Sequence, residues 1–148
     1  MLVLQGDGMD NLLVSGVDSA PLRVLLGHGA GAGMDSPFMA AMADGLADQG
    51  WQVLRFEFPY MQRQRNSGKK RPPDKAELLL NSFREQVKAL AHDKPLVIGG
   101  KSMGGRIASL LADALFDEQR IQACICLGYP FHPCLLYTSD AADEIVRV

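Results

Sequence analysis

Gly100-Lys101-Ser102-Met103-Gly104 stands between a short apolar run, Pro95 to Gly99, and a helical pattern marked by Ile107, Leu110, Leu111 and Leu115. A G-x-S-x-G pentapeptide between strand and helix demands a turn so tight that the residues two before and two after the serine come close together, where a side chain would clash. Gly100 and Gly104 meet that demand, and Gly99 and Gly105 relax the crowding further. In such a turn the Ser102 hydroxyl projects above the C-terminal edge of a sheet, and the following helix aims its first amides at the same spot.

The rest of the chain repeats a strand-helix rhythm. Arg23 to Gly27 is a short apolar run ending in His28-Gly29-Ala30-Gly31-Ala32-Gly33, which reads as a buried strand stopping in a glycine-rich loop. Ser36 suits the cap of a following helix and Pro37 its first turn; Met39, Met42, Ala43 and Leu46 then recur at helical spacing until Gly50 stops it. Trp51 to Phe56 reads as strand, Glu57 to Lys75 as loop, and Ala76 to about Ala91 as a helix with Leu79, Leu80, Phe83, Val87 and Leu90 on one face. Pro95 to Gly99 and Ile121 to Leu127 complete four strands alternating with three helices. Strands that are apolar throughout, rather than alternating, call for a parallel sheet covered on both faces. The expectation is a three-layer α/β sandwich with a mostly parallel sheet, to which the first twenty or so residues, with the short run Leu12-Leu13-Val14, could add one or two antiparallel strands.

With 148 residues, 47% of them apolar, the chain fits one globular domain with a real core. A net charge of −2 gives no overall attraction to nucleic acid or anionic membrane. The start lacks a basic segment followed by a long apolar stretch, and no run approaches the ~18 apolar residues of a membrane span, so the sequence reads as cytoplasmic. Three cysteines fit reduced thiols, with Cys124 and Cys126 on one strand face as core residues rather than metal ligands.

The chemistry expected at Ser102 is nucleophilic attack on a carbonyl, without metal or cofactor, on a small ester or thioester. The backbone N–H of Met103 then faces the oxyanion, and a second donor should come from a glycine-rich loop after a neighbouring strand. Ala30 is the candidate, flanked by Gly29 and Gly31. A phosphate-binding G-x-x-x-x-G-K-[ST] reading fails because its first glycine would fall on Pro95. A dinucleotide fingerprint starting in the glycine loop fails because Met34 stands where its third glycine belongs. Arg63, Arg65, Lys69, Lys70, Arg71 and Lys75 crowd the segment after the second strand against one acid, Asp74, and are expected to form a solvated flexible loop, with recognition of an acidic substrate or nucleic acid as the alternative. His92 reads as a solvated cation near a helix end.

Four stretches carry a family resemblance: Leu26 to Gly31, Phe58-Pro59-Tyr60, Gly99 to Arg106, and Gly128-Tyr129-Pro130-Phe131-His132-Pro133. Through them the chain resembles a family of small predicted α/β hydrolases, similar to dienelactone hydrolases, with a testis-expressed protein and a subunit of a nuclear histone acetyltransferase complex among its eukaryotic relatives. The resemblance implies a serine hydrolase and a truncated α/β-hydrolase fold over residues 1–133. It makes His28 a residue that shapes the oxyanion loop, with His28, Arg106 and His132 as candidates for the substrate pocket; Arg106 is expected to brace the neighbouring loop. In this fold the triad runs Ser, acid, His along the chain. After Ser102 the only histidine is His132, Asp113 and Asp117 lie too far along the next helix, and Asp140 and Asp143 fall in an ending that breaks the rhythm.

That ending, from Cys134 onward, resembles translated sequencing-library adapter and is set aside as a non-native tail over residues 134–148. The chain is thus expected to be an inactive fragment of an esterase-like or thioesterase-like acyl hydrolase, with triad acid and base absent and Ile121 to Leu127 left as an exposed apolar edge. The alternative is a non-enzymatic interaction module on the same fold, which would take a protein partner.

Overall fold

The computed structural model describes residues 2–4, 11–128 and 146–147. The elements are β1 (Leu2–Leu4), β2 (Leu12–Ser15), β3 (Arg23–Gly27), α1 (Pro37–Asp48), β4 (Gln52–Arg55), α2 (Pro59–Ser67), α3 (Ala76–Ala89), β5 (Leu96–Lys101), α4 (Met103–Asp117), β6 (Ala123–Leu127) and β7 (Val146–Arg147). They form one sheet in the order β1-β2-β4-β3-β5-β6-β7. Strands β4, β3, β5 and β6 run parallel, as the apolar strands predict, while β1, β2 and β7 are antiparallel additions at the two edges.

Alternation along the central strands sorts the core into two layers. Leu25, Leu54 and Ile98 share one buried cluster with Phe83 and Val87 of α3 and Ile107 and Leu111 of α4. Val24, Leu26, Val53 and Val97, the neighbours that point the other way, pack on Met39 and Ala43 of α1. The result is the expected three-layer sandwich, with β3 and β5 at its centre and their C-terminal ends side by side.

Helix α1 begins as its residues dictate: the Ser36 hydroxyl accepts from Met39 N–H, Pro37 occupies the first turn, and Gly50 turns the chain out at φ +94°. The segment Glu57 to Lys75 departs from expectation, because nine of its residues form α2 rather than loop. Pro59 opens that helix and Gly68, at φ 73°, closes it in the left-handed conformation. Only Tyr60 and Met61 are buried in it, so no apolar periodicity announces it. The edge of β6 differs too. Val146 and Arg147, from the ending set aside above, pair antiparallel with Ile125 and Cys124, so the strand is covered where exposure was expected.

Candidate functional site

Ser102 sits where β5 stops and α4 starts, with φ 51° and ψ −111°. That region of backbone space is strained for any residue with a side chain, at a cost on the order of 1–3 kcal/mol, and it persists only where the surroundings fix it. Here they do. The Ser102 N–H donates to Leu127 O at 2.8 Å, and its carbonyl accepts from Arg106 N–H at 2.9 Å to begin the helix. The glycines before and after are sterically compulsory. A methyl on Gly100 would stand 2.5 Å from Gly27 O and 2.6 Å from the Gly104 carbonyl carbon, and one on Gly104 would run into the carbonyl groups of Gly27 and His28. The crossing of β3, β5 and α4 is thus backbone against backbone. As first-turn residues, Met103, Gly104 and Gly105 have N–H groups with no intrahelical acceptor, and no side-chain cap covers them.

The glycine loop lies against this turn. Ala30 O accepts from the Tyr60 hydroxyl at 2.9 Å, and the same hydroxyl lies 4.0 Å from Met103 Sδ, so one buried tyrosine of α2 joins the loop to the residue after Ser102. Burial, then the carboxylates of Asp74 and Glu57, push the Tyr60 phenol up to about 12, which keeps it a donor. Ala30 and Gly31 are exposed while Gly29 is buried. Ala30 N–H has no acceptor among the described residues.

His28 is placed differently from a pocket residue. It is fully buried, its Nε2 accepts from Phe58 N–H at 3.1 Å, and its Nδ1 lies 2.6 Å from Gly29 O and must donate to it. Both ring nitrogens are therefore occupied in the neutral Nδ1–H tautomer. Its part in setting the loop stands on these two bonds. Burial holds its pKa below 6.5, against opposing contributions from Gly29 O and Glu57. The unfolded chain then takes up a proton as pH falls through 6.5 that the folded chain does not, so stability is full above that pH and declines below it. Urea denaturation is expected to show stability falling as the pH drops below 6.5. Midpoints that stay constant from pH 7 to pH 5 would contradict this placement of His28.

The far end of the loop is held by a charged cluster that includes Arg65, one of the cations expected in a solvated flexible loop. Arg55 and Glu57, two residues apart at the end of β4, are both buried. Arg55 donates to Met34 O at 2.9 Å and Met34 N–H donates to Glu57 Oε2 at 3.2 Å, so one peptide is gripped at both polar groups. Arg65 of α2 then donates through Nε and an Nη to Glu57 at 3.0 and 2.5 Å and to Asp35 at 2.9 and 3.1 Å. These carboxylates hold its guanidinium well above its usual pKa, and Arg65 holds the Asp35 carboxyl below its own. Arg63 pairs with Asp74 at 2.6 Å. Two of the six cations assigned to a solvated loop are structural.

Of the remaining candidates, Arg106 is exposed and its guanidinium has no hydrogen bond or ion pair among the described residues. His132 and the stretch 129–133 lie outside the described residues. Asp113 and Asp117 line a cavity of about 390 Å³ with Ile121 and Cys124. That cavity is at the opposite end of the sheet, and Asp113 lies roughly 15 Å along α4 from Met103. His92, just before β5, is at that opposite end as well. Two clefts do adjoin the glycine loop: one of about 220 Å³ lined by Gly29, Gly31, Ser36, Phe38 and Lys101, and one of about 330 Å³ lined by Ala30, Gly31, Gln64, Lys70 and Arg71. Among the described residues no helix is long and apolar enough to cross a membrane.

Comparison with known proteins agrees with the fold. The family described as "Alpha/beta hydrolase domain" matches residues 20–140. None of the curated proteins matches the chain by sequence. Among solved structures, a dienelactone hydrolase from Anabaena variabilis is 20% identical with a TM-score of 0.66, over 78% of this chain and 56% of that one. XC6422 from Xanthomonas campestris, described as an α/β serine hydrolase without lid, is 19% identical with a TM-score of 0.67, over 84% and 57%. TT1662 from Thermus thermophilus is 21% identical with a TM-score of 0.61, over 91% and 58%. The chain thus spans little more than half the length of these structures.

Proposed function

The chain belongs to the α/β-hydrolase domain family, and from that premise we propose that it is the nucleophile-bearing part of a serine hydrolase that cleaves small esters or thioesters by acyl transfer. The observation that carries the reading is the backbone of Ser102, held at φ 51° and ψ −111° between a central strand and a helix N-terminus. A strained serine at that junction has its hydroxyl lifted free of the sheet edge and its neighbours' amides converging on one side. In the reaction, Ser102 Oγ attacks the carbonyl carbon. The N–H groups of Met103 and Ala30 hold the tetrahedral oxyanion, each contributing roughly 3–4 kcal/mol to the transition state. Collapse expels the alcohol or thiol, and water releases the acid from the acyl-serine.

A serine hydroxyl needs a base to take its proton, and His28, with both ring nitrogens engaged and no exposure, does not serve. We assign the acid and the histidine of the triad to sequence beyond residue 148, in a longer protein of which this chain supplies part of the fold; His132, outside the described residues, is not the base in this reading. The 148-residue chain by itself is then inactive. The test is turnover of p-nitrophenyl acetate by the chain and by the protein extended through its natural C-terminus. The extended protein should hydrolyse the ester, its Ser102→Ala variant should lose at least about 10³-fold in kcat/KM, and the 148-residue chain should match the buffer rate. Appreciable turnover by the 148-residue chain that disappears in Ser102→Ala would overturn the assignment of the base.

A further inference from the structure

Among the described residues, both clefts beside the glycine loop are rimmed by cations and by no carboxylate. Lys101, the residue before Ser102, lines the smaller cleft with its Nζ 5.3 Å from the centre of the exposed Phe38 ring. Lys70 and Arg71 line the larger one, and the two clefts share Gly31. None of these three cations has an ion pair among the described residues, in contrast to Arg63 and Arg65, which are bound to Asp74 and to Glu57 and Asp35. Their placement is built. The left-handed Gly68 folds the chain back along α2, and Arg71 N–H donates to Gln64 Oε1 at 3.0 Å, which pins the segment to the cleft wall. The positive rim also runs against the chain's net charge of −2, so it is a local arrangement and not the overflow of a basic protein.

We infer that the substrate is an anionic ester, whose carboxylate or phosphate group is held by Lys70 and Arg71, with Lys101 adding to the field, while its carbonyl lies over the glycine loop. This rests on the proposed role of Ser102, since it is that role which makes the space beside Ala30 and Gly31 a substrate site. Arg71 offers a planar fork suited to two oxygens and Lys70 a point charge, so either anion fits the pair. Phe38 gives the opposite cleft an apolar wall for the uncharged part of the molecule.

Binding can be read without catalysis. Monomethyl succinate, methyl phosphate and the uncharged dimethyl succinate are titrated into the 15N-labelled 148-residue chain and followed by amide shifts. At least one of the two anions should move Gly31 together with Lys70 and Arg71 and bind at least tenfold more tightly than dimethyl succinate; which of them does so identifies the anion. The Lys70→Gln/Arg71→Gln variant should weaken that binding about tenfold with an unchanged melting temperature. Equal binding of dimethyl succinate, anion binding unchanged in the double variant, or shifts confined to residues 69–75 with Gly31 silent would each overturn the inference. Because Ser102 chemistry plays no part in this readout, a protein that binds the anion but never turns over esters would count against the proposed function alone. Turnover without anion preference would count against this inference alone.

Discussion

Gly104→Ala is expected to lower the stability of the chain by about 3 kcal/mol or more, seen as a fall in melting temperature of roughly 10 °C. The added methyl would run into Gly27 O, the Gly27 carbonyl carbon and His28 O. All three are backbone atoms, so no side chain can swing away, and β3 and α4 would have to move apart. Overpacking in an ordinary core costs about 1–3 kcal/mol because neighbours adjust. This contact lies at the upper end because neither neighbour can. Gly45→Ala is the control: it sits exposed inside α1 with nothing within 4 Å of the new methyl, and helix propensity there should stabilise the chain by about 0.5–1 kcal/mol. If both substitutions change the urea midpoint by the same small amount, the backbone crossing at Ser102 is not as close as described.

Arg65→Ala is expected to cost roughly 3 kcal/mol, because it leaves Glu57, whose side chain is 1% exposed, with Met34 N–H as its only remaining partner among the described residues. The lower end of the range for a broken buried pair applies, since the Arg65 side chain is itself 45% exposed and water can partly replace it. The penalty belongs to the stranded charge rather than to lost packing. Adding Glu57→Gln to Arg65→Ala should therefore recover about half of it, a non-additivity visible in a double-mutant cycle. Arg65→Lys should recover less, as one ammonium cannot span Glu57 and Asp35 as the guanidinium does. A double variant that is less stable than Arg65→Ala would show that the cluster does not carry the buried charge in this way.

These two regions also mark what the sequence could reveal. The turn at Ser102 was legible because its constraint is local: four glycines, an apolar run before and a periodic helix after leave one geometry. The parallel sheet followed from the same logic, with Val24 and Leu25 pointing to opposite layers. The clamp on the glycine loop was not legible. Arg65 meets Glu57 from 8 residues away and Asp35 from 30, separations that only tertiary folding brings together. Helix α2 escaped because its reading relied on apolar periodicity, which a helix burying only Tyr60 and Met61 does not show, although Pro59 and Gly68 stood at the positions that open and close one. The pairing of β7 with β6 escaped for another reason: Val146 and Arg147 belong to the ending that its resemblance to translated adapter had set apart from the fold.

Ser102 is proposed as the activated nucleophile. Its most direct measurement is reaction of the C-terminally extended protein with a fluorophosphonate probe, followed by peptide mapping of the adduct by mass spectrometry. The predicted result is one equivalent of label, carried on the peptide containing Ser102 and absent from Ser102→Ala. A folded protein that takes up no label, or takes it up on another residue with Ser102 unmodified, would contradict the account.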